Sequence, residues 1–267
     1  MSMDMVRGGV TVTETQVTLI QIDNYGPWTV SPTPRREPDL QTLQSRLYAD
    51  LSQLVAHDGG YVFSTRFDNM IAVTNGIDLS GHRRIQAAVR NRYPVTVSLG
   101  VATGSSPREA VGEATATLQA AGSAQDSDRT EILRGEPLCE DGTVQIAHFD
   151  VNDATGQYTD ELNAFDVFRH IDRGYSALLE YMYDAHDSLS FFIGGDNVIS
   201  VTPGLDRAAF AETIEHVEEA AGIELKVGVG RDLTAGDAGM AAKEALERCR
   251  NRGTRVEIGT GESAGRA

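Results

Sequence analysis

Lysine is nearly missing from this chain. Of 23 basic residues only Lys226 and Lys243 are lysines, and the rest are arginine. Against 39 acidic residues this leaves a formal net charge of −16 over 267 residues. With no basic surplus to neutralise phosphates, general binding to nucleic acid is excluded, while a local phosphate site is not. An acidic, lysine-poor surface is what a protein kept soluble in very high salt shows, and that reading is preferred to an acidic cytosolic protein of arginine-rich genome composition. Cysteine is scarce too. Cys139 and Cys249 cannot build a Cys-rich zinc cluster, and no CxxC or HExxH spacing exists, so zinc-activated water is not an available mechanism. No two of the 6 histidines have metal-ligand spacing. No apolar run approaches the ~20 residues of a membrane span. Residues 1–15 lack the apolar stretch of a secretion signal and read as a loose extension. The expectation is a cytoplasmic protein with no membrane partner.

What is present is an internal repeat. VTLIQIDNY (17–25) and VQIAHFDVN (144–152) resemble each other, and YVFSTRFDNMIAVT (61–74) resembles LSFFIGGDNVISVT (189–202). Each copy carries a pair of aspartates, Asp23 with Asp68 and Asp150 with Asp196, at offsets of 127 and 128 residues. The end of each half matches as well, VSLGVATGSSPREA (97–110) with LKVGVGRDLTAGDA (225–238). Alternating and continuous apolar runs read as strands, and residues 41–56 carry leucines at helical spacing. The proline-rich stretch 23–40 reads as a loop. The order in each half is βαββαβ, which is the split-βαβ, ferredoxin-like plan with helices on one face of an antiparallel sheet. The fold expected is α/β (α+β) with two tandem copies. They cover 16–122 and 143–258, joined by a polar linker at 123–142 that holds an edge strand, with a tail at 259–267.

In such a sheet the end of the first strand lies beside the tip of the central hairpin. Asp23 is then expected to meet Asp68, and Asp150 to meet Asp196. Carboxylates from adjacent strands suit Mg²⁺, which takes carboxylate oxygen and substrate phosphate, and two such ions clamp both oxygens of an in-line displacement. A single aspartate more often caps a turn; the repetition of the pair favours metal. His148 shares a sheet face with Asp150 because strand side chains alternate, making it a candidate general base alongside a purely structural reading. Gly194–Gly195–Asp196–Asn197 is a hairpin open to close ligand approach. Asn24 and Gly26, and Asn152 and Gly156, are candidates to offer backbone N–H groups to phosphate. Asn69 borders Asp68. Candidate cations are Arg35, Arg36, Arg66, Lys243 and Arg250; for any one arginine a solvated surface role competes. Tyr25 and Trp28 either stack on a purine or pack their loop.

Those motifs together resemble one family. QIDNYGPWTVSPTPRREPDLQTLQSRLYADL (21–51), TRFDNMIAVTNGIDL (65–79), VRNRYPVTVS (89–98), GSAQD (122–126), VQIAHFDVND (144–153) and FFIGGDN (191–197) are similar to archaeal GTP cyclohydrolase III, also called GTP cyclohydrolase IIa. The resemblance implies tandem palm-like domains related to nucleotidyl and diguanylate cyclases. It implies GTP as substrate, opened at guanine C8 with the triphosphate cut as well, on the way to riboflavin and deazaflavin cofactors. It also implies Mg²⁺ as cofactor, K⁺ as activator, no zinc, and a homo-oligomer. Asp150 and Asp196 fall on the metal carboxylates of the diguanylate cyclase pattern, and Arg250 stands where that family carries a phosphate-binding lysine. A cyclase-type nucleotidyltransferase and a non-catalytic nucleotide-binding module are the alternatives.

Overall fold

The computed structural model describes residues 13–138, 142–152 and 160–260. The first half runs β1 (Thr15–Ile22), α1 (Tyr25–Val30), α2 (Glu37–His57), β2 (Tyr61–Ser64), β3 (Asn69–Val73), α3 (Leu79–Arg92), β4 (Val97–Gly104), α4 (Pro107–Gln119) and β5 (Leu133–Gly135). The second runs β6 (Val144–Val151), α5 (Ala164–His186), β7 (Leu189–Gly194), β8 (Asn197–Thr202), α6 (Arg207–Ala221), β9 (Leu225–Asp232), α7 (Ala235–Arg252) and β10 (Val256–Thr260). Side chains fix several helix starts: Asp78, Ser106, Asn163, Asp206 and Thr234 each accept a hydrogen bond from an N–H of the first turn. Among the described residues no helix is long and apolar enough to cross a membrane.

Each half forms a five-stranded sheet, in the orders β2-β3-β1-β4-β5 and β7-β8-β6-β9-β10. The first four strands of each are antiparallel, and β5 and β10 add in parallel at the edge. This is the ferredoxin-like plan twice. Ile20 and Ile22 of β1 pack under Leu47, Leu51 and Val55 of α2 and Ile85 and Val89 of α3. In the second half Ala147, Phe149 and Val151 of β6 pack under Leu178 and Met182 of α5 and Phe210 and Ile214 of α6. Burying each large side chain stabilises the fold by about 2 kcal/mol.

Two expectations need correction. Helices do not lie on one face only, because α4 and α7 cover the opposite faces. Glycine makes the approach of α7 close: a Cβ at Gly230 would fall 2.1 Å from the Ala238 carbonyl oxygen. The stretch 23–40 is not all loop, since it holds α1 and the first turn of α2. Pro27 and Pro38 both stand in a first helical turn, where a missing N–H breaks nothing.

The halves pack as a pseudo-dimer. Phe63 and Phe191, at matching places in β2 and β7, stack on each other with ring centroids 4.2 Å apart and planes within 3°. On either side the same backbone bond occurs twice, Arg108 N–H to Asp187 O at 3.1 Å and Gly236 N–H to Gly59 O at 2.8 Å. Each pair of partners is related by the repeat, so the contact is self-complementary, as in a two-fold dimer. Tyr61 closes the interface against Gly239 of α7.

Candidate active site

The second half gathers the chemistry at the end of β6. Asp150 is directly opposite Asn197 of β8 on one side and Lys226 of β9 on the other, so all three side chains share the α7 face of the sheet. His148, two residues earlier, is on that face too. The β7–β8 hairpin turns tightly at Gly195–Asp196, with Gly194 pairing Asn197. Gly194 and Gly195 have φ of 116° and 65°, and no atom lies within 4 Å of where a Gly194 side chain would start. The turn therefore presents bare backbone and brings the Asp196 carboxylate to Asp150.

The electrostatics follow. Burial raises the Asp196 pKa above the usual carboxylate range, and the neighbouring Asp150 raises it further, against Arg250 and His148. Asp150 is 7% exposed and accepts a 2.8 Å hydrogen bond from Arg250 Nη2. That bond is the main reason the Arg250 pKa is raised. His148 Nε2 lies 2.9 Å from Asn197 Oδ1. Asn197 donates its amide to Asp196 Oδ1 at 2.9 Å, so its oxygen accepts, His148 carries Nε2–H, and Nδ1 keeps the lone pair. Burial lowers the His148 pKa, against the Asn197 hydrogen bond and the Asp150 charge, and Lys243 and Arg250 on α7 add to the lowering, which favours the neutral ring.

The first half looks different once its strands are aligned by pairing. Ile22 is opposite Val97 and Val151 opposite Leu225; Gln21 is opposite Asn69 and Asp150 opposite Asn197. The structural counterpart of Asp150 is therefore Gln21, an offset of 129, and Asp23 corresponds to Asn152. The same ladder bond confirms it: Asp23 N–H donates to Thr96 O and Asn152 N–H to Glu224 O. Asp23, 6% exposed, is filled by donors. It accepts from Thr96 Oγ1, Ser98 Oγ and the Glu131 N–H. It does not share a partner with Asp68, which is paired with Arg66 at 2.8 Å and keeps one buried oxygen, Oδ1, without a hydrogen-bond partner among the described residues. Gln21 instead bonds Asn69 and accepts from Arg129, both at 2.8 Å. Arg129 is 4% exposed, and its Nε and Nη2 have no hydrogen-bond partner among the described residues.

The other candidates disperse. The N–H groups of Asn24 and Asn152 are spent on Ala124 O and Glu224 O, so neither offers a phosphate nest. Gly26 lies within α1, facing the Gln125 side chain. Gly156 lies outside the described residues. Tyr25 and Trp28 stack on each other, 6.0 Å between centroids, and pack on the first-half core. Arg35 covers the Trp28 ring at 3.9 Å. Arg36 pairs with Asp39 on the surface. Trp28 also lines a cleft of ≈ 390 Å³ with Asp23, Tyr93 and Thr96. Lys226, opposite Asp150, is a cation at this strand end that reading for motifs passes over.

Comparison with known proteins gives one family. Its model, GTP cyclohydrolase III, matches residues 17–261. The chain is 65% identical to GTP cyclohydrolase III of Natronomonas pharaonis over 92% of this chain and 99% of that protein. It is 62% identical to GTP cyclohydrolase III 1 of Halobacterium salinarum over 92% and 98%. It is 50% identical to the protein of that name from Methanocaldococcus jannaschii, over 89% and 88%. Among solved structures, the GGDEF domain of DgcB from Caulobacter crescentus in complex with c-di-GMP is 17% identical, with a TM-score of 0.36, over 45% of this chain and 79% of that one.

Proposed function

The chain belongs to the GTP cyclohydrolase III family, and from that premise we propose that it opens the imidazole ring of GTP at C8 and cuts the triphosphate to a monophosphate. One water adds across the ring and is retained as the formyl group; two more cleave the phosphate chain. The products are a formylamino-pyrimidine ribonucleotide monophosphate and two phosphates, an early step toward riboflavin and deazaflavin cofactors.

The observation that carries this reading is the meeting of Asp150 and Asp196 beside Arg250, Lys243 and His148. Burial raises the Asp196 pKa most and repulsion from the Asp150 carboxylate raises it further, and a divalent cation relieves that repulsion. Oxygen donors of this kind fit Mg²⁺, so Asp150 and Asp196 are the residues to hold it. Bound there, Mg²⁺ would neutralise the triphosphate and polarise its phosphorus–oxygen bonds. K⁺ activation belongs to the same reading. Arg250 and Lys243 bind phosphate oxygens, and Gly194–Gly195 lets the phosphates approach the hairpin backbone. His148, neutral and steadied by Asn197, takes a proton from attacking water at Nδ1.

The test is incubation with GTP, Mg²⁺ and high KCl, following the ultraviolet spectrum and phosphate release together. Two phosphates per ring opened supports the proposal. A cyclic or dinucleotide product overturns it in favour of a nucleotidyltransferase, and GTP binding without turnover in favour of a regulatory module. Asp196→Asn is expected to lower turnover by roughly a thousandfold or more.

A further inference from the structure

The two lysines of this chain both come to the end of β6, Lys226 opposite Asp150 and Lys243 within electrostatic reach of His148. Lys226 is paired in register with Asp150 across β6–β9, which sets their Cβ atoms about 5 Å apart on the same face. Lys243, on α7, acts on His148 together with Arg250. A chain that uses 23 basic residues with arginine at all but two positions fills nearly every cationic role with a guanidinium. The exceptions coincide at the site where a compact, strongly hydrated ammonium differs most from a planar fork: against a crowded, tetrahedral anion held close to a metal.

Neither lysine is spent on the fold. Among the described residues no ion pair or hydrogen bond engages Lys226 or Lys243, although Asp150 lies alongside. The Asp150 carboxylate is already taken by Arg250 at 2.8 Å. Lys226 lies beneath the last turn of α7, where its charge reaches the buried Cys249. The first half makes the contrast. There Ser98 is opposite Gln21, the counterpart of Asp150, and its hydroxyl is consumed by Asp23 and the Ile132 N–H. The second half therefore has a half-buried, uncommitted cation where the first has a structural hydroxyl.

We propose that Lys226 is a phosphate-binding residue of the second-half site, holding the terminal phosphates of the nucleotide from the β9 side while Arg250 and Lys243 hold them from α7. The proposal rests on the reading of Asp150 and Asp196 as the centre that takes GTP, and it adds a residue to that centre.

Three ligands separate a phosphate contact from a general loss of structure: GTP, inorganic triphosphate and guanosine, each titrated calorimetrically with Mg²⁺ in high KCl. Lys226→Gln is expected to weaken GTP and inorganic triphosphate by roughly tenfold to a hundredfold, the range of a charge-assisted contact, and to leave guanosine unchanged. The KM for GTP rises by a similar factor, and Lys226→Arg falls between parent and Lys226→Gln. Unchanged affinity for inorganic triphosphate in Lys226→Gln, with an unchanged melting temperature, overturns the proposal; so does equal weakening of guanosine. Asp196→Asn run in parallel separates the two failures. Full turnover in that variant sinks the underlying site, whereas lost turnover there with normal triphosphate binding in Lys226→Gln sinks only the role of Lys226.

Discussion

The two halves place different groups at the same strand position. In the second, Asp150 faces Asn197 and Arg250; in the first, Gln21 faces Asn69 and Arg129. The carboxylate of the first half sits two residues further on, at Asp23, and is surrounded by a hydroxyl of Thr96, a hydroxyl of Ser98 and the N–H of Glu131. A shift of two residues along the strand thus separates a carboxylate that meets a second one at the hairpin from a clamp that ties the strand end to the segment leading into β5. Even the cation arrives by another route: Arg250 from the last turn of a long α7, Arg129 from the extended connection after the shorter α4. Duplication preserved the backbone and reassigned the charges.

The largest effects should come from exchanging these roles. Asp150→Asn is expected to lower turnover of GTP by roughly a thousandfold while the melting temperature changes little. Asp23→Ala should do the reverse. It strands three donors in the interior, which costs about 3 kcal/mol, or roughly 6–12 °C in melting temperature for a chain of this size. Turnover per folded molecule should stay within about threefold of the parent. Thermal melts and steady-state rates in high KCl decide it. If Asp23→Ala melts like the parent yet is inactive, the working site is in the first half and the comparison inverts.

A middle-sized effect concerns pH. The folded-state pKa of Asp196 is raised, so in the absence of metal its carboxylate takes up a proton at higher pH than an unfolded aspartate does. The ionised form is the one that strains the fold: stability without metal rises as pH falls through the raised pKa toward the unfolded value. Mg²⁺ needs the ionised form, so its affinity should fall over that same descent, beginning above the ordinary aspartate range near 4. Calorimetric Mg²⁺ titrations from neutral pH down to the ordinary aspartate range near 4 should show this for the parent. In Asp196→Asn the added pH dependence should disappear, and metal-free Asp196→Asn should melt higher than the metal-free parent near neutral pH. The first half, with Gln21 in place of a second carboxylate, offers no equivalent.

Strand faces and the ferredoxin-like order were legible because each rests on a short-range signal: alternation in 17–22 and leucine spacing in 43–54. The meeting of Asp150 with Asp196 followed from the strand order, which sets the end of the first strand beside the hairpin tip, and His148 on the Asp150 face followed from alternation. What failed was the register of the repeat. Alternation has a period of two, so offsets of 127 and 129 put the same residues on the same face. The matching Ile-Asp and Phe-Asp letters favoured 127, whereas the ladder selected 129. Arg129 and Lys226 were illegible for another reason. Each is brought to the strand end by a contact far along the chain, and no local pattern marks a cation that will face a strand it does not neighbour in sequence. The short α1 was hidden by prolines that happen to fall in first helical turns.

The smallest effect separates the hairpins. Phe67 and Gly195 are counterparts and have the same left-handed backbone, φ 62° and 65°, a conformation that strains a phenylalanine by about 1–2 kcal/mol and a glycine hardly at all. Phe67→Gly removes that strain. It also frees the unfolded chain by about 0.5–1 kcal/mol and uncovers part of a ring that is already 40% exposed, worth about 1 kcal/mol. The terms nearly cancel, so stability should move by less than about 1 kcal/mol, and turnover should not change because this hairpin faces Gln21 where the other faces the Asp150 carboxylate. Gly195→Phe in the other half has no cancelling gain. It imports the strain, about 1–2 kcal/mol, and hangs a ring beside Asp196. It should therefore raise the KM for GTP far more than it lowers stability. If instead Phe67→Gly loses more than about 2 kcal/mol, the ring is an anchor of the first hairpin, and the strained backbone there is held for packing and is no relic of a turn that once faced phosphate.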